Sequence, residues 1–157
     1  MKRIVMILSM LGILAAESLE TYLPTNRYVN DRYGFSLVYP GDLFTSKRVP
    51  DAGDGIILSG PDGLEVRMYG SMFDENIADA YRNAIRWEKE SGSRISYKKL
   101  TRSWFVISGF LAGGEKLFYQ KNFFRNGITL TIRFVYRIRD KHLYDRLVEE
   151  MIRGISF

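Results

Sequence analysis

The pair Asn126-Gly127 separates two alternating runs, "EKLFYQKNFFR" before it and "ITLTIRFVYRIR" after it. A two-residue connection of this kind takes a turn in which both central residues hold a positive φ, and asparagine followed by glycine adopts it at least cost. Such a turn sets the register too: Arg125 faces Ile128, and every further pair follows. One face then carries Leu117, Tyr119 and Phe123 against Leu130, Ile132, Phe134 and Tyr136. The other carries Phe118, Gln120, Asn122 and Phe124 against Thr129, Thr131, Arg133 and Val135. The first reads as core and the second as largely polar, as a sheet with one buried side requires. Lys121 is the exception. This register puts it on the core face opposite Ile132, so it either snorkels at a sheet margin or is displaced by a bulge.

The rest of the chain supplies partners for this hairpin. "GFSLVYP" alternates Phe35, Leu37 and Tyr39 with Ser36 and Val38, which predicts a half-buried strand ending at a Pro40-Gly41-Asp42 turn. "LFTSKRV" is a weaker strand, Asp51–Gly55 a loop, and "IILSG" and "LEVRMYG" are strands joined by Pro61-Asp62-Gly63. A helix is predicted after Asp74, its N-cap, with Ile77, Ala78, Tyr81, Ala84 and Ile85 as an apolar stripe. Glu88 falls at the same spacing, and Gly92 ends the helix. "SRISYKKL" and "SWFVISGFLA" are further strands. Asp140 caps a last helix with Leu143, Tyr144, Leu147, Val148, Met151 and Ile152 as its stripe, and the chain closes on "ISF". Hairpin-connected strands interrupted by single helices indicate α+β, an antiparallel β-sheet flanked by helices.

The chain opens "MKRIVMILSMLGILAAES". Lys2 and Arg3, an uncharged apolar run and small residues at Ala16 and Ser18 predict a signal peptide over residues 1–18. The run is too short for an ordinary membrane-spanning helix, which needs about 20 residues. A leader over 19–27 and one domain over 28–157 complete the expected organisation, which places the mature chain outside the cytoplasm, periplasmic or secreted. Removing Lys2, Arg3 and Glu17 from the 23 basic and 18 acidic residues leaves 21 and 17, a net charge of +4. The absence of cysteine excludes disulfides, thiolate chemistry and cysteine metal sites.

"YVNDRYGFSLVYP" near the start, "SGPDGLEVRMYG", "ISGF" and the closing "VEEMIRGISF" resemble the PsbP-like, or Mog1/PsbP, superfamily. The resemblance covers about residues 28–157. It implies an α/β/α sandwich and a non-enzymatic accessory role, since the superfamily includes extrinsic photosystem II subunits, a Ran-binding nuclear protein and bacterial envelope proteins. It carries over no functional residues.

No catalytic constellation is visible. His142 is the single histidine and falls off the apolar stripe of the last helix, as a solvated residue does. There is no nucleophile elbow and no phosphate-cradling loop. Asp51, Asp54 and Asp62 invite a calcium reading, but their spacing is not that of an EF-hand, and Asp-Gly pairs are ordinary turn chemistry. Neither cofactor, metal nor nucleic acid is expected. The partner is a protein or an envelope component of unspecified identity. The expected binding surface is the polar hairpin face, Phe118, Gln120, Asn122, Phe124 and Arg133, extended by Arg137. Aromatic, arginine and amide groups together are what interface hot spots use. A solvated or helix-covered face is the bland reading of the same residues. Arg94, Lys98, Lys99 and Arg102 form another basic cluster. The alternative function is a carrier of a small apolar ligand held between sheet and helix.

Overall fold

The computed structural model describes residues 24–73 and 75–157. The expected signal peptide and most of the expected leader lie outside the described residues. Strands β1 (Thr25–Asn30), β2 (Phe35–Pro40) and β10 (Ile155–Ser156) form a three-stranded sheet in the order β1-β2-β10. A seven-stranded sheet contains β3 (Ser46–Arg48), β4 (Gly55–Ser59), β5 (Glu65–Met72), β6 (Arg94–Leu100), β7 (Trp104–Phe110), β8 (Lys116–Arg125) and β9 (Ile128–Arg137). Its order is β3-β4-β5-β9-β8-β7-β6. The α-helices among the described residues are α1 (Ile77–Glu90) and α2 (Lys141–Arg153).

The β8–β9 hairpin has the expected register, Arg125 opposite Ile128 through to Lys116 opposite Arg137 without a shift. Asn126 at φ 51 and Gly127 at φ 74 make the turn. Lys121 does lie opposite Ile132 and no bulge relieves it; its Nζ rests 4.5 Å from the Trp104 ring centroid and 4.9 Å from that of Phe123.

The main core forms on the face expected for it. Leu130, Ile132, Phe134 and Tyr136 join Ile56, Leu58, Val66 and Met68 of β4 and β5. Phe35, Leu37 and Tyr39 of β2 and Tyr144, Leu147, Val148 and Met151 of α2 close over them. The "GFSLVYP" strand is therefore part of the lid on this core. Leu143, expected on the α2 stripe, is exposed, because it sits about 100° around the helix axis from Tyr144.

The opposite face of the sheet is covered as well. Ile77, Ala80, Tyr81, Ala84 and Ile85 of α1 pack over Phe105, Ile107 and Phe118, with Phe124 and Val135 at the margin.

Three local expectations are revised. β1 starts at Thr25, inside the stretch expected as leader; "TNRYVN" has no alternation, and its pairing with β2 is what makes it a strand. Asn76 caps α1, its side chain accepting from the Asp79 amide at 2.9 Å, and the expected cap Asp74 lies outside the described residues. Asp140 stands at the α2 N-cap, but its carboxylate is engaged by Arg137 Nε at 2.6 Å and makes no capping bond.

Candidate functional site

Burial by α1 decides the fate of the polar hairpin face. Phe118 is 1% exposed and Asn122 is buried. Arg133 Nη1 donates to Glu88 Oε1 at 2.5 Å and to Gln120 Oε1 at 2.9 Å. Gln120 Nε2 donates to Asn122 Oδ1 at 3.0 Å, and Asn122 Nδ2 to Thr131 Oγ1 at 2.6 Å. The Arg133 guanidinium also lies 4.6 Å from the Phe118 ring centroid. Phe124 stacks edgewise on Phe73, with centroids 4.6 Å apart. Arg137 is engaged elsewhere, by Asp62 at 2.9 Å and Asp140 at 2.6 Å, and Asp140 above all raises its already high pKa. The expected binding face on Phe118, Gln120, Asn122, Phe124, Arg133 and Arg137 is thus corrected. Its centre is the packing surface of α1, and Arg137 is a clamp between a turn and the start of α2. One signal for this was present in the sequence: Glu88 on an apolar stripe calls for a buried cation, and Arg133 answers it.

The structure leaves open a different part of the sheet, on the α2 side towards the β6 edge. Cross-strand register arranges it in rows. Tyr97, Ser108 and Tyr119 form one row; Lys99, Val106 and Lys121 the next; Trp104 and Phe123 the last. Arg94 lies opposite Phe110, its guanidinium 4.3 Å from the ring centroid. Lys99 Nζ is 5.6 Å from the Trp104 ring centroid. On this face Arg94, Lys99 and Lys121 form no salt bridge among the described residues, as is also true of cations elsewhere such as Arg27, Lys47, Arg86 and Arg139. Lys98, opposite Ile107, lies on the α1 side of the sheet. Desolvation lowers the pKa of Lys121. A bulge at Ser96 breaks the β6–β7 register between Ile95 and Tyr97. Next to it, β6 passes so close to Gly109 that a Cβ there would meet the Arg94 carbonyl oxygen at 2.0 Å.

Between this surface and α2 runs a groove of about 520 Å³. Phe110, Leu117, Tyr119, Tyr136, Val148 and Ile152 supply its apolar walls. Its charged rim is internally neutralised: Lys141 bonds to Asp145, and Arg153 to Glu149 at 3.3 Å. Tyr136 donates its hydroxyl to Asp145 Oδ1 at 2.9 Å. Burial, helped by Asp145, raises the Tyr136 pKa, and burial with nearby Tyr97 and Glu149 raises that of Tyr119.

His142 is exposed in the first turn of α2. Among the described residues no group of three or more histidine or acidic side chains could hold a metal ion, and Asp62, of the loop acids, is engaged by Arg137. No helix among the described residues is long and apolar enough to cross a membrane.

An antiparallel sheet with one helix on one face, and a helix plus a small sheet on the other, defines an α+β sandwich. Its particular form is similar to that of a solved cyanobacterial PsbP. The solution structure of cyanobacterial PsbP (CyanoP) from Synechocystis sp. PCC 6803 superposes with a TM-score of 0.68, covering 92% of this chain and 99% of that one. Sequence identity is 11%, so the match speaks for the fold alone. No protein-family model and no curated protein sequence matches the chain.

Proposed function

We propose that this chain is an exported, non-enzymatic accessory domain that docks on an anionic protein or envelope component. The docking surface is the uncovered part of the sheet, with Arg94, Tyr97, Lys99, Trp104 and Lys121 at its centre. The observation that carries the reading is the set of basic side chains without a carboxylate partner, interleaved with aromatic rings on one open face. Clefts and faces of one charge sign concentrate partners of the other. The PsbP-like fold agrees with an accessory role, and the signal-peptide layout of residues 1–18 with export.

The test is capture from native envelope extract with residues 19–157 on beads, beside a Lys99→Glu/Lys121→Glu variant. A partner held by the first and lost by the second supports the surface. A partner held equally by both removes it. The groove beneath α2 favours a second reading, the small-ligand carrier. A native mass spectrum of the purified protein with a co-purified lipid would support it.

A further inference from the structure

The groove and the lysine row are parts of one continuous surface. Tyr119 lines the groove, and Lys121 is the next residue on the same face of β8, about 7 Å along the strand. Ser108 lines the groove floor, and Val106, its neighbour on the same face of β7, has Lys99 on one side and Lys121 on the other. Two long flexible cations therefore flank a single apolar residue just beyond the end of an apolar channel.

We infer that this surface holds one amphipathic anion, its apolar body in the groove beneath α2 and its anionic head between Lys99 and Lys121. The inference rests on the carrier reading above and names the chemistry of its cargo. Three observations support it. The groove volume lies within the roughly 300–1,000 Å³ of small-molecule sites. The rim ions of the groove are paired with one another, so the body that fits there is uncharged. The free charge adjoining it is positive, Lys99 and Lys121, with Arg94 over Phe110 at the far end. An anion seated at Lys121 also offsets the desolvation that this ammonium suffers. A free fatty acid and an anionic lipid share this chemistry.

The chain contains two tryptophans, and Trp104 stands 4.5 Å from Lys121 while Trp87 lies exposed on α1. The full chain with Trp87→Phe thus reports from the site. 2-Bromododecanoate, with its bromine beside the head, is the probe, with 2-bromododecanol and 2-bromododecyltrimethylammonium as comparators and anionic vesicles as a separate arm for a lipid source. We expect dodecanoate to quench Trp104 and the cationic amphiphile not to. Lys99→Gln/Lys121→Gln should weaken dodecanoate about 25-fold, roughly fivefold for each cation near an anionic group. Added salt should weaken it as well. Ser108→Leu, which fills the groove floor, should abolish binding with both lysines intact. Dodecanol and dodecanoate binding equally, with no effect of the lysine variant or of salt, would overturn the anion inference and leave the carrier. No quenching by either would overturn the carrier too.

Discussion

Replacing Arg133 by methionine removes the partner of Glu88, whose side chain is 1% exposed and whose Oε2 already lacks a hydrogen bond among the described residues. Removing one member of a buried ion pair costs about 3–5 kcal/mol, because the other charge stays in a medium that cannot solvate it. Natural domains hold about 5–15 kcal/mol in all, so the loss is a large share of the total. With a urea slope of about 2 kcal/mol per molar, the unfolding midpoint should fall by about 1.5–2.5 M. Glu88→Met should fall at the lower end, since the Arg133 side chain is 16% exposed and can lean towards water. The double variant Glu88→Met/Arg133→Met should return to within about 1 kcal/mol of the parent or exceed it, because it leaves no orphaned charge and two apolar chains fill the space. The assay is urea denaturation of all four proteins, read as a double-mutant cycle. Two singles that each cost less than about 1 kcal/mol and simply add would show a screened surface pair. α1 would then not seal the hairpin face, and that face would again be open to partners.

Other perturbations test other parts of the structure. Gly127→Ala places a Cβ on a residue at φ +74 with nothing within 4 Å to clash, so only backbone strain counts. That strain is about 1–2 kcal/mol, and thermal unfolding should shift down by roughly 3–8 °C. Gly109→Ala drives a Cβ into the Arg94 carbonyl at 2.0 Å, and amide exchange should show β6 released while β8 and β9 stay protected. Burial lowers the Lys121 pKa from its ordinary 10.5, so the charged form costs stability at neutral pH and the cost fades as pH rises through the lowered value. Lys121→Met should therefore stabilise most near pH 7, with the gain shrinking towards pH 10.5. Burial holds the Tyr136 hydroxyl protonated above its ordinary 10.0, so stability is complete below that pH and lost above it; Tyr136→Phe should flatten this alkaline limb in pH-dependent melts.

The hairpin was legible because a two-residue turn and strict alternation leave a single register, and Lys121 was visible as its misfit. The α2 stripe was legible for the same kind of reason, a local period. What lay beyond local pattern was which face α1 would cover. That depends on the crossover from β5 to β6, and short-range periodicity carries no information about it. The polar character of Gln120, Asn122, Thr129 and Thr131 pointed towards solvent, yet in the structure these side chains bond largely to one another or sit under the helix. Two charged residues out of place, Glu88 on an apolar stripe and Arg133 on a strand, were the trace of that contact. The open basic surface was only partly legible. Arg94 and Lys99 stand close in sequence, but Lys121 and Trp104 join them through strand order, and Lys98 between them turns to the α1 side.

Part of that basic surface has a purely structural explanation. β6 is an edge strand, and Arg94, Lys98, Lys99 and the bulge at Ser96 are the devices that keep an edge from pairing with another chain. The explanation does not reach Lys121. β8 is hydrogen-bonded to β7 on one side and β9 on the other, so it has no edge to protect. At that position the neighbours are Val106 and Ile132 across the strands, with Trp104 and Phe123 beside the ammonium. The contact with the Trp104 ring returns about 0.5–1 kcal/mol, against the desolvation that lowers the lysine's pKa. An apolar residue would suit the sheet better. Lys121→Met therefore decides between the two accounts. A protein that gains stability and loses dodecanoate is one in which a cation is kept for binding. A protein that gains nothing in stability is one in which the aromatic contact already accounts for the lysine, with no binding site needed to explain it.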